Sequence, residues 1–323
     1  MKNQLNVLYI LTKLELGGAQ KVCLALHAGL IADKHNAMLA SGAEGELIKE
    51  VQKIPDCILL DSFKREVSLI GIAHDIKAFL GLISLIKKFK KKHPNLIVHT
   101  HSTKAGIVGR WAAFFAGVKK RIHTVHGFGF HEHQSLLPWL AIVSVEWITA
   151  LITTHFICVS NKDCKRGSKL FPGFAQKSSI IRAAVGKQHF IQPTKSLNND
   201  KKIIIGTIAC FKPQKNLFDL LKAFTITYET ALKENRSIHL EIIGDGELRP
   251  AIEEWICKKN MQHAITLHGW QRNVQQFLCT WDIFALSSLW EGLPCSIVEA
   301  RLARLAVVTY DIGGISEVIN DGL

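Results

Sequence analysis

The chain has 323 residues, which is too long for one small domain and enough for two. Apolar residues make up 48% of it and charged residues 21%, a composition that excludes an intrinsically disordered protein. The net charge of +13 favours partners that carry negative charge, such as phosphorylated ligands, anionic membrane surfaces or nucleic acid.

The first part of the chain alternates short β-branched segments with helical patterns. The predicted strands are Val7–Leu11, Ala37–Ala40, Cys57–Leu60, Leu96–His99, Arg121–Val125 and Phe156–Val159. The helical patterns between them are Ala19–Ile31, Ile76–Lys92, Ala105–Phe115 and Leu136–Thr153. Such alternation predicts a parallel sheet with helical crossovers, the α/β class.

Two stretches of this first part raise the question of membrane contact. The apolar stretch from Leu136 to Ser160 has the length of a bilayer span, but Glu146 near its middle would be costly in lipid. We therefore expect a buried helix followed by a strand. The basic run Lys87–Lys92 is either the solvated end of an amphipathic helix or a contact with an anionic membrane surface. The amino terminus lacks a signal-peptide pattern, so we expect a cytoplasmic protein, in the second case peripheral on the inner face of the membrane.

A polar segment, Ile191–Lys202, interrupts the alternation and is typical of a linker. A second series follows, with strands Ile203–Ile208, His239–Ile243, Ile265–Leu267, Ile283–Leu286 and Ala306–Tyr310 and helices Leu217–Leu232, Leu248–Lys259 and Cys295–Leu302. The sequence therefore predicts two doubly wound, Rossmann-like domains, residues 1–190 and 203–323, that face a ligand cleft.

Two glutamates mark the last predicted strand–loop–helix unit, whose sequence includes EGLPCSIVE. Glu291 lies in the loop and Glu299 about two turns further on, inside the helix. Gly292 lets backbone amides approach a ligand closely. Carboxylates and exposed amides suit a polyhydroxylated ligand. The alternative is that both acids cap or solvate a helix end.

Anion-binding features occur at two predicted strand–helix turns. Lys215 follows the strand Ile203–Ile208 in a P-Q-K-N turn, where a lysine and helix amides can bind phosphate, although a solvated turn lysine is the alternative. Gly17 and Gly18 follow the first strand, but the G-x-G-x-x-G spacing of a dinucleotide site is missing.

Histidines cluster at two predicted strand ends in the first domain. His99 and His123 are expected to be structural, with satisfied hydrogen bonds, whereas His101 and His126 are candidates for substrate contact. No carboxylate or cysteine completes a metal-ligand spacing with them, so no metal site is predicted.

The segment EGLPCSIVE, followed by VVTYDIGGISEVINDG, resembles the donor-site signature of retaining family-4 glycosyltransferases, which have the GT-B fold. The resemblance implies that Glu291 contacts the donor sugar and Glu299 the nucleotide ribose, with the amides of Gly292 and Leu293 offered to the sugar. Lys215 would neutralise the diphosphate. This chain departs from the family pattern at Cys210, where an arginine is usual; Lys212 is a candidate substitute.

For the first domain the resemblance implies that Gly17 and Gly18 face the diphosphate and that His126 lies near the sugar. His101, chosen from its place at a strand end, is a further candidate for a sugar or acceptor contact. It implies a nucleotide-sugar donor, UDP-linked, and a saccharide or lipid-linked acceptor, with no cofactor and no metal ion. Lipopolysaccharide or other envelope polysaccharide synthesis is the expected context.

Three alternatives stay open at this point. The chain stops soon after the GG-x-x-E loop, so it resembles a truncated family member, which would only bind nucleotide or turn over weakly. A nucleotide-sugar epimerase shares the architecture. A nucleic-acid-binding protein would fit the charge, but no recognition helix or aromatic platform supports it, and nucleic acid is not expected as a partner.

Overall fold

A computed structural model describes residues 4–63, 69–183, 185 and 202–322, with the side chains of residues 69–75 not described. The chain divides into two compact units, Met1–Ala183 and Ala184–Leu323. The predicted linker, residues 191–202, lies outside the described residues except for Lys202. Each unit is a parallel α/β sandwich, which confirms the predicted fold class of two Rossmann-like units.

The first unit alternates strands and helices from its first strand to its last. Its described elements are β1 (Asn6–Leu11), α1 (Gly18–Ala32), β2 (Asn36–Gly42), α2 (Ile48–Val51), β3 (Cys57–Leu60), α3 (Leu69–Lys92), β4 (Ile97–His101), α4 (Thr103–Phe115), β5 (Lys120–Val125), α5 (Leu136–Ile152), β6 (His155–Cys158), α6 (Asn161–Leu170) and β7 (Ser178–Ile180). Within the described residues these form a seven-stranded parallel sheet in the order β3-β2-β1-β4-β5-β6-β7. The order reverses between β1 and β4, which are hydrogen-bonded neighbours.

Helical periodicity explains how α3 packs on this sheet. Ala78, Leu82, Ile86 and Phe89 recur every three or four residues and are buried in one core cluster with β1 and β4. Lys90, Lys91 and Lys92 occupy the last turn, where positive charge interacts favourably with the helix dipole. The basic run therefore lies at the end of an amphipathic helix, and its contact with an anionic membrane surface stays a prediction.

The second unit repeats the same architecture with fewer strands. Its described elements are β8 (Ile203–Ile208), α7 (Leu217–Lys233), β9 (Ile238–Ile243), α8 (Arg249–Lys258), β10 (Ile265–Gly269), α9 (Gln275–Leu278), β11 (Ile283–Leu286), α10 (Cys295–Leu302) and β12 (Ala306–Thr309). In the part of the chain that the structure describes, five parallel strands follow the order β10-β9-β8-β11-β12. The order reverses between β8 and β11. Gly206 of β8 lies against Trp281, and a Cβ atom there would overlap the indole ring.

The prediction of a buried helix after Leu136 is wrong in one respect. The helix α5 ends at Ile152 and is followed by the strand β6, as expected, and Glu146 is buried. However, one whole face of α5 is exposed, including Leu137 at 79% and Leu151 at 57%. Glu146 forms a buried ion pair with Arg110 (2.7 Å), so the carboxylate lies on the side of α5 that packs on the protein. Among the described helices, none has the length and apolar character needed to cross a bilayer.

Three elements of the first unit, α2, α6 and β7, were not predicted. The helix α6 begins after Ser160, whose Oγ accepts a hydrogen bond from the amide of Asp163 (3.1 Å). The S-x-x-D spacing is a helix-start signal that was available in the sequence. The strand β7 has only three residues, two of them serines, and pairs with β6 at the sheet edge. Its length and polarity gave no strand signal.

Candidate functional site

The point where strand order reverses in an open parallel sheet is where ligands usually bind, outside the carboxyl ends of the strands. In the second unit this point lies between β8 and β11. The loop after β8 contains Lys215, in a short 3-10 turn, and the loop after β11 contains Glu291. The topology therefore places two of the predicted donor-site residues together.

Lys215 and Glu291 form an ion pair, with Nζ of the lysine on Oε1 of the glutamate. The hydroxyl of Ser288 donates a hydrogen bond to the same carboxylate oxygen (2.7 Å). Gln214 Nε2 donates to the backbone carbonyl of Trp290 (2.7 Å) and lies 3.5 Å from Oε2 of Glu291. The lysine side chain is 15% exposed and the glutamate side chain 9%. These contacts hold the carboxylate of Glu291 in one orientation at the carboxyl edge of the sheet.

The charge state of Lys215 follows from two opposing effects. Burial is the largest single effect and lowers the pKa of this lysine, because desolvation disfavours the charged form. The charge of Glu291, the nearby Cys210 and Cys295 and the hydrogen bond to Glu291 together raise the pKa by more. The net result is a pKa above the usual value, so Lys215 is protonated at neutral pH. A cation paired with a carboxylate is therefore present at the end of β8.

The loop after β12 packs directly on the segment that holds Glu291. Gly313 has φ +53°, and a Cβ atom there would overlap the carbonyl oxygen of Glu291. The amide of Gly314 donates to the carbonyl of Gly292 (2.6 Å). Gly292 and Leu293 are both buried. Gly313 is thus needed for close backbone contact at this site, and Gly314 adds a backbone hydrogen bond to it.

Glu299 lies in the second turn of α10 and is only 5% exposed. The helix begins at Cys295, and Pro294 occupies the N-cap position without a side-chain cap hydrogen bond. A buried carboxylate in an eight-residue helix is unusual for a group that merely solvates a helix end. The burial of Glu299 contradicts the solvated alternative.

The first unit has an equivalent reversal point between β1 and β4. Thr12, after β1, and Ser102, after β4, are joined by a hydroxyl hydrogen bond of 2.8 Å. Gly17 occupies the N-cap of α1, and Gly18 is the first helical residue, without an acidic residue in the first turn. The glycine pair therefore lies at a helix amino end, where backbone amides attract anions.

His101 and His126 are adjacent in the same unit. Nδ1 of His101 lies 2.8 Å from Nε2 of His126, and the rings stack with centroids 5.1 Å apart. Within the described residues, Nε2 of His101 is buried without a hydrogen-bond partner. A buried polar atom without a partner is rare and often marks a functional position.

His99 and His123 have the structural role expected for them. His99 Nε2 lies 2.7 Å from the hydroxyl of Thr124, and His123 Nδ1 lies 2.9 Å from the hydroxyl of Thr100. Both histidines are buried. These bonds tie β4 to β5, which positions the histidine pair at the ends of the same two strands.

Burial keeps this histidine group neutral. Desolvation lowers the pKa of His126 to about 4. Desolvation, together with the nearby His126, lowers the pKa of His99 to about 3. Burial also lowers the pKa of His101 well below its usual value, and the nearby His99 and His126 lower it further. At neutral pH one ring of the His101–His126 pair donates its N–H to the other. In the described part of the chain, no three histidine, cysteine or carboxylate side chains are grouped to hold a metal ion.

Comparisons with known proteins decide the family. The sequence model for Glycosyltransferase Family 4 matches residues 16–184, and that for Glycosyl transferases group 1 matches residues 189–323. The chain is 31% identical over 309 residues to the Escherichia coli UDP-Gal:alpha-D-GlcNAc-diphosphoundecaprenol alpha-1,3-galactosyltransferase, covering 93% of this chain and 77% of the relative.

This protein belongs to glycosyltransferase family 4.

Further relatives agree with the assignment of this family-4 glycosyltransferase. An uncharacterized glycosyltransferase of Methanocaldococcus jannaschii is 28% identical over 303 residues, covering 87% of this chain and 69% of the relative. The crystal structure of Anabaena HepE in complex with UDP and glucose superposes with a TM-score of 0.77 at 18% identity, covering 99% of this chain and 84% of that one. This likeness shows a GT-B fold. The C-terminal truncation expected from the sequence stays a prediction.

Sequence reasoning missed Ser288 and Gln214 of the glycosyltransferase, which hold the carboxylate of Glu291 and its loop in place. A signal for both existed. Ser288 lies two residues after the end of β11, and Gln214 precedes Lys215 in the same turn. Polar side chains after adjacent parallel strands meet at one sheet edge, so their partnership required only the strand order.

Proposed function

We propose that this glycosyltransferase transfers a sugar from a UDP-linked donor to a lipid-linked saccharide during envelope polysaccharide synthesis. The Escherichia coli relative is named for an activity with a UDP-linked sugar and a diphosphoundecaprenol acceptor, which supports this proposal. An O-antigen biosynthesis glycosyltransferase that is 25% identical over 316 residues supports the same context. A cytoplasmic location, on the inner face of the membrane, follows from such an acceptor as part of the proposal.

The observation that carries the proposal is the ion pair between Lys215 and Glu291 at the β8/β11 reversal point. A carboxylate held by Lys215 and Ser288 is oriented before any ligand arrives, and its remaining lone pairs can accept hydrogen bonds from paired sugar hydroxyls. We assign Glu291 to the donor sugar and the buried Glu299 to the ribose. Gly292 and Leu293 contribute amides to the sugar.

Lys215 serves the leaving group in this proposal. As the anomeric bond breaks, negative charge develops on the diphosphate, and a protonated lysine with three donors stabilises it while it still contacts Glu291. Lys215 is protonated at neutral pH, and Glu291 is the largest of the influences that raise its pKa. Cys210 stands where the family usually has an arginine, so Lys215 carries more of this task here. No cofactor is needed for the reaction.

The first unit contributes its own groups to the proposed reaction. Amides at Gly17 and Gly18, at the start of α1, suit the diphosphate. His126, neutral and hydrogen-bonded to His101, suits a hydrogen bond to the sugar or the acceptor hydroxyl. Retention of the anomeric configuration would follow from attack on the same face, with the leaving phosphate accepting the acceptor's proton.

Separate replacement of the two glutamates tests the proposal. Glu291→Ala removes a preorganised contact to the reacting sugar, and we expect kcat to fall by about 10²–10³-fold. Glu299→Ala removes ribose binding, so KM for the donor should rise by about tenfold or more. Glu254→Ala is the matched control, because Glu254 lies on the surface of α8 and pairs only with Lys258 in the described structure.

The assay uses a panel of UDP-hexoses with a lipid-diphosphate saccharide acceptor, and the product's anomeric proton is read by NMR. Transfer that survives both replacements undiminished would show that the site assignment is wrong. Inverted product would contradict retention. Binding of a UDP-sugar without any transfer by the unaltered protein would favour the binding-only alternative, and epimerised donor without acceptor would favour the epimerase.

A further inference from the structure

The helix α5 is apolar on both sides, and only one side is covered. Its inner face packs Trp139, Ile142 and Val143 against a phenylalanine-rich core cluster. Its outer face exposes large apolar side chains at helical spacing, namely Leu136, Leu137, Leu140, Trp147, Ile148 and Leu151. A helix that is apolar all round is normally surrounded by other apolar groups. The outer face of α5 is therefore expected to contact an apolar environment outside this unit.

Buried polar bonds prevent α5 from rotating to hide this face. Glu146 accepts a hydrogen bond from Arg110 Nη2 (2.7 Å), and Arg110 Nη1 donates to the hydroxyl of Thr153 (2.9 Å). Trp111 Nε1 donates to the hydroxyl of Thr149 (3.0 Å). Rotation would expose or break these contacts, and a broken buried ion pair is strongly destabilising. The exposed orientation of the apolar face is thus built into the packing of α4 against α5.

The apolar surface continues onto the end of α4. Phe114 and Phe115 are exposed there and contact Trp111 and each other. The Arg121 guanidinium lies over the Phe114 ring, 5.5 Å from its centroid, and donates to the carbonyl of Ile152 at the end of α5 (2.6 Å). We define the apolar face as the six exposed residues of α5 together with Phe114 and Phe115.

Positive charge surrounds the end of this face. Lys90 donates to the carbonyl of Gly117 (2.7 Å), which fixes the last turn of α3 beside the end of α4. The exposed lysines of this region, which we define as the basic rim, are Lys87, Lys88, Lys91, Lys92, Lys119 and Lys120. Residues 76–162 contain twelve lysines and arginines but two acids, Glu132 and the buried Glu146.

We propose that the apolar face inserts into one leaflet of an anionic lipid bilayer while the basic rim contacts the headgroups. Exposed tryptophan, phenylalanine and leucine beside lysines are the chemistry of an interfacial membrane surface. A second copy of the chain is the less favourable occupant, because a two-fold contact through this face would bring one basic rim towards another. The bilayer instead supplies both the apolar phase and the opposite charge.

The test measures co-sedimentation of the full chain with vesicles of phosphatidylglycerol and phosphatidylcholine. Ile148→Glu/Leu151→Glu places two charges on the apolar face, and we expect partitioning to fall by at least about tenfold. Ile226→Glu is the matched control, because Ile226 is an apolar residue of α7 that is 67% exposed in the other unit. It should bind vesicles as the unaltered protein does.

The basic rim is tested by Lys119→Gln/Lys120→Gln. Binding to phosphatidylglycerol vesicles should fall about fivefold for each lysine removed, and binding to pure phosphatidylcholine should be unchanged. Lipids with brominated tails should quench the fluorescence of Trp147. The contribution of Trp147 is the difference in quenching between the unaltered protein and Trp147→Phe. Circular dichroism melting of each variant checks that it folds.

Failure of the unaltered protein to bind anionic vesicles, or equal binding by Ile148→Glu/Leu151→Glu, would overturn the proposal. A change from dimer to monomer in that variant without vesicle binding would assign the face to a second copy instead. Transfer to a water-soluble acceptor analogue should be unaffected in the variant. The proposal does not depend on the identity of the acceptor, so vesicle binding and transfer can fail separately.

Discussion

In the first unit the side chains at the ends of β4 and β5 are histidines kept neutral by burial, whereas in the second unit the loops after β8 and β11 bring a protonated lysine onto a glutamate. Both groups lie at the carboxyl edge of a parallel sheet, at or next to the reversal of strand order. The difference shows that the topology selects the place, while the residues in the loops decide its electrostatics.

The largest effect is expected from removing the cation of the second unit. Lys215→Ala deprives the leaving diphosphate of a preorganised positive charge and Glu291 of its partner, so kcat should fall by about 10²–10³-fold, or about 3–4 kcal/mol in activation free energy. Steady-state transfer assays measure this loss. Lys222→Ala is the control, because Lys222 is an exposed lysine of α7. A kcat within twofold of normal in Lys215→Ala would show that the cation of the second unit is not needed for transfer, and the contrast between the two units would then have no functional meaning.

Acid should destabilise the histidine group of the first unit. The folded pKa of His126 is about 4 and that of His99 about 3, both below the value of about 6.5 for an unfolded chain. The unfolded state therefore binds more protons below pH 6.5, and the free energy of unfolding falls as the pH drops towards the folded pKa values. Between pH 7.5 and 5 the loss should be roughly 2 kcal/mol for each histidine.

Urea unfolding of the first unit's signal at several pH values measures this dependence. His99→Asn should reduce the slope, because it removes one of the two histidines whose pKa burial lowers to about 3 and about 4. An unfolding free energy that stays constant from pH 7.5 to 5 would mean that these histidines are not kept neutral by burial.

The smallest effect concerns the proposed substrate contact within the histidine pair. His126→Asn should lower kcat/KM by about tenfold, the effect of losing one hydrogen bond of about 1.4 kcal/mol in the transition state. His101→Asn should cost less, about two- to threefold, because His101 acts through its bond to His126. Kinetics of both variants with one donor provide the measurement. A larger loss for His101→Asn than for His126→Asn would reverse these roles.

Much of the fold could be predicted because most elements had a local signal. The strands Cys57–Leu60, Ile203–Ile208 and Ile283–Leu286 and the helix Cys295–Leu302 have the predicted bounds, since β-branched runs and turn residues delimit them. The strand β7 has no such signal, because its three residues form a strand only through their pairing with β6. Helix α6 was missed although its capping residues were visible.

The candidate site was predictable as a set of residues but not as a set of contacts. Glu291, Glu299 and the Gly313–Gly314 pair could be chosen from their spacing and their resemblance to a family. The bond between Lys215 and Glu291 joins residues 76 positions apart, and it exists because β8 and β11 are neighbours in the sheet. No local sequence pattern predicts a contact between residues that are so far apart in the chain.

The sequence by itself determined the alternation of strands and helices, the division into two α/β units and the family, because these depend on periodicity and short motifs. Only the tertiary structure decided which charges meet and which faces remain exposed. The helix α5 shows why: its composition predicts burial, but the Arg110–Glu146 pair orients it so that an apolar face is exposed. Orientation depends on partners distant in sequence, since a buried charge must face its counter-charge.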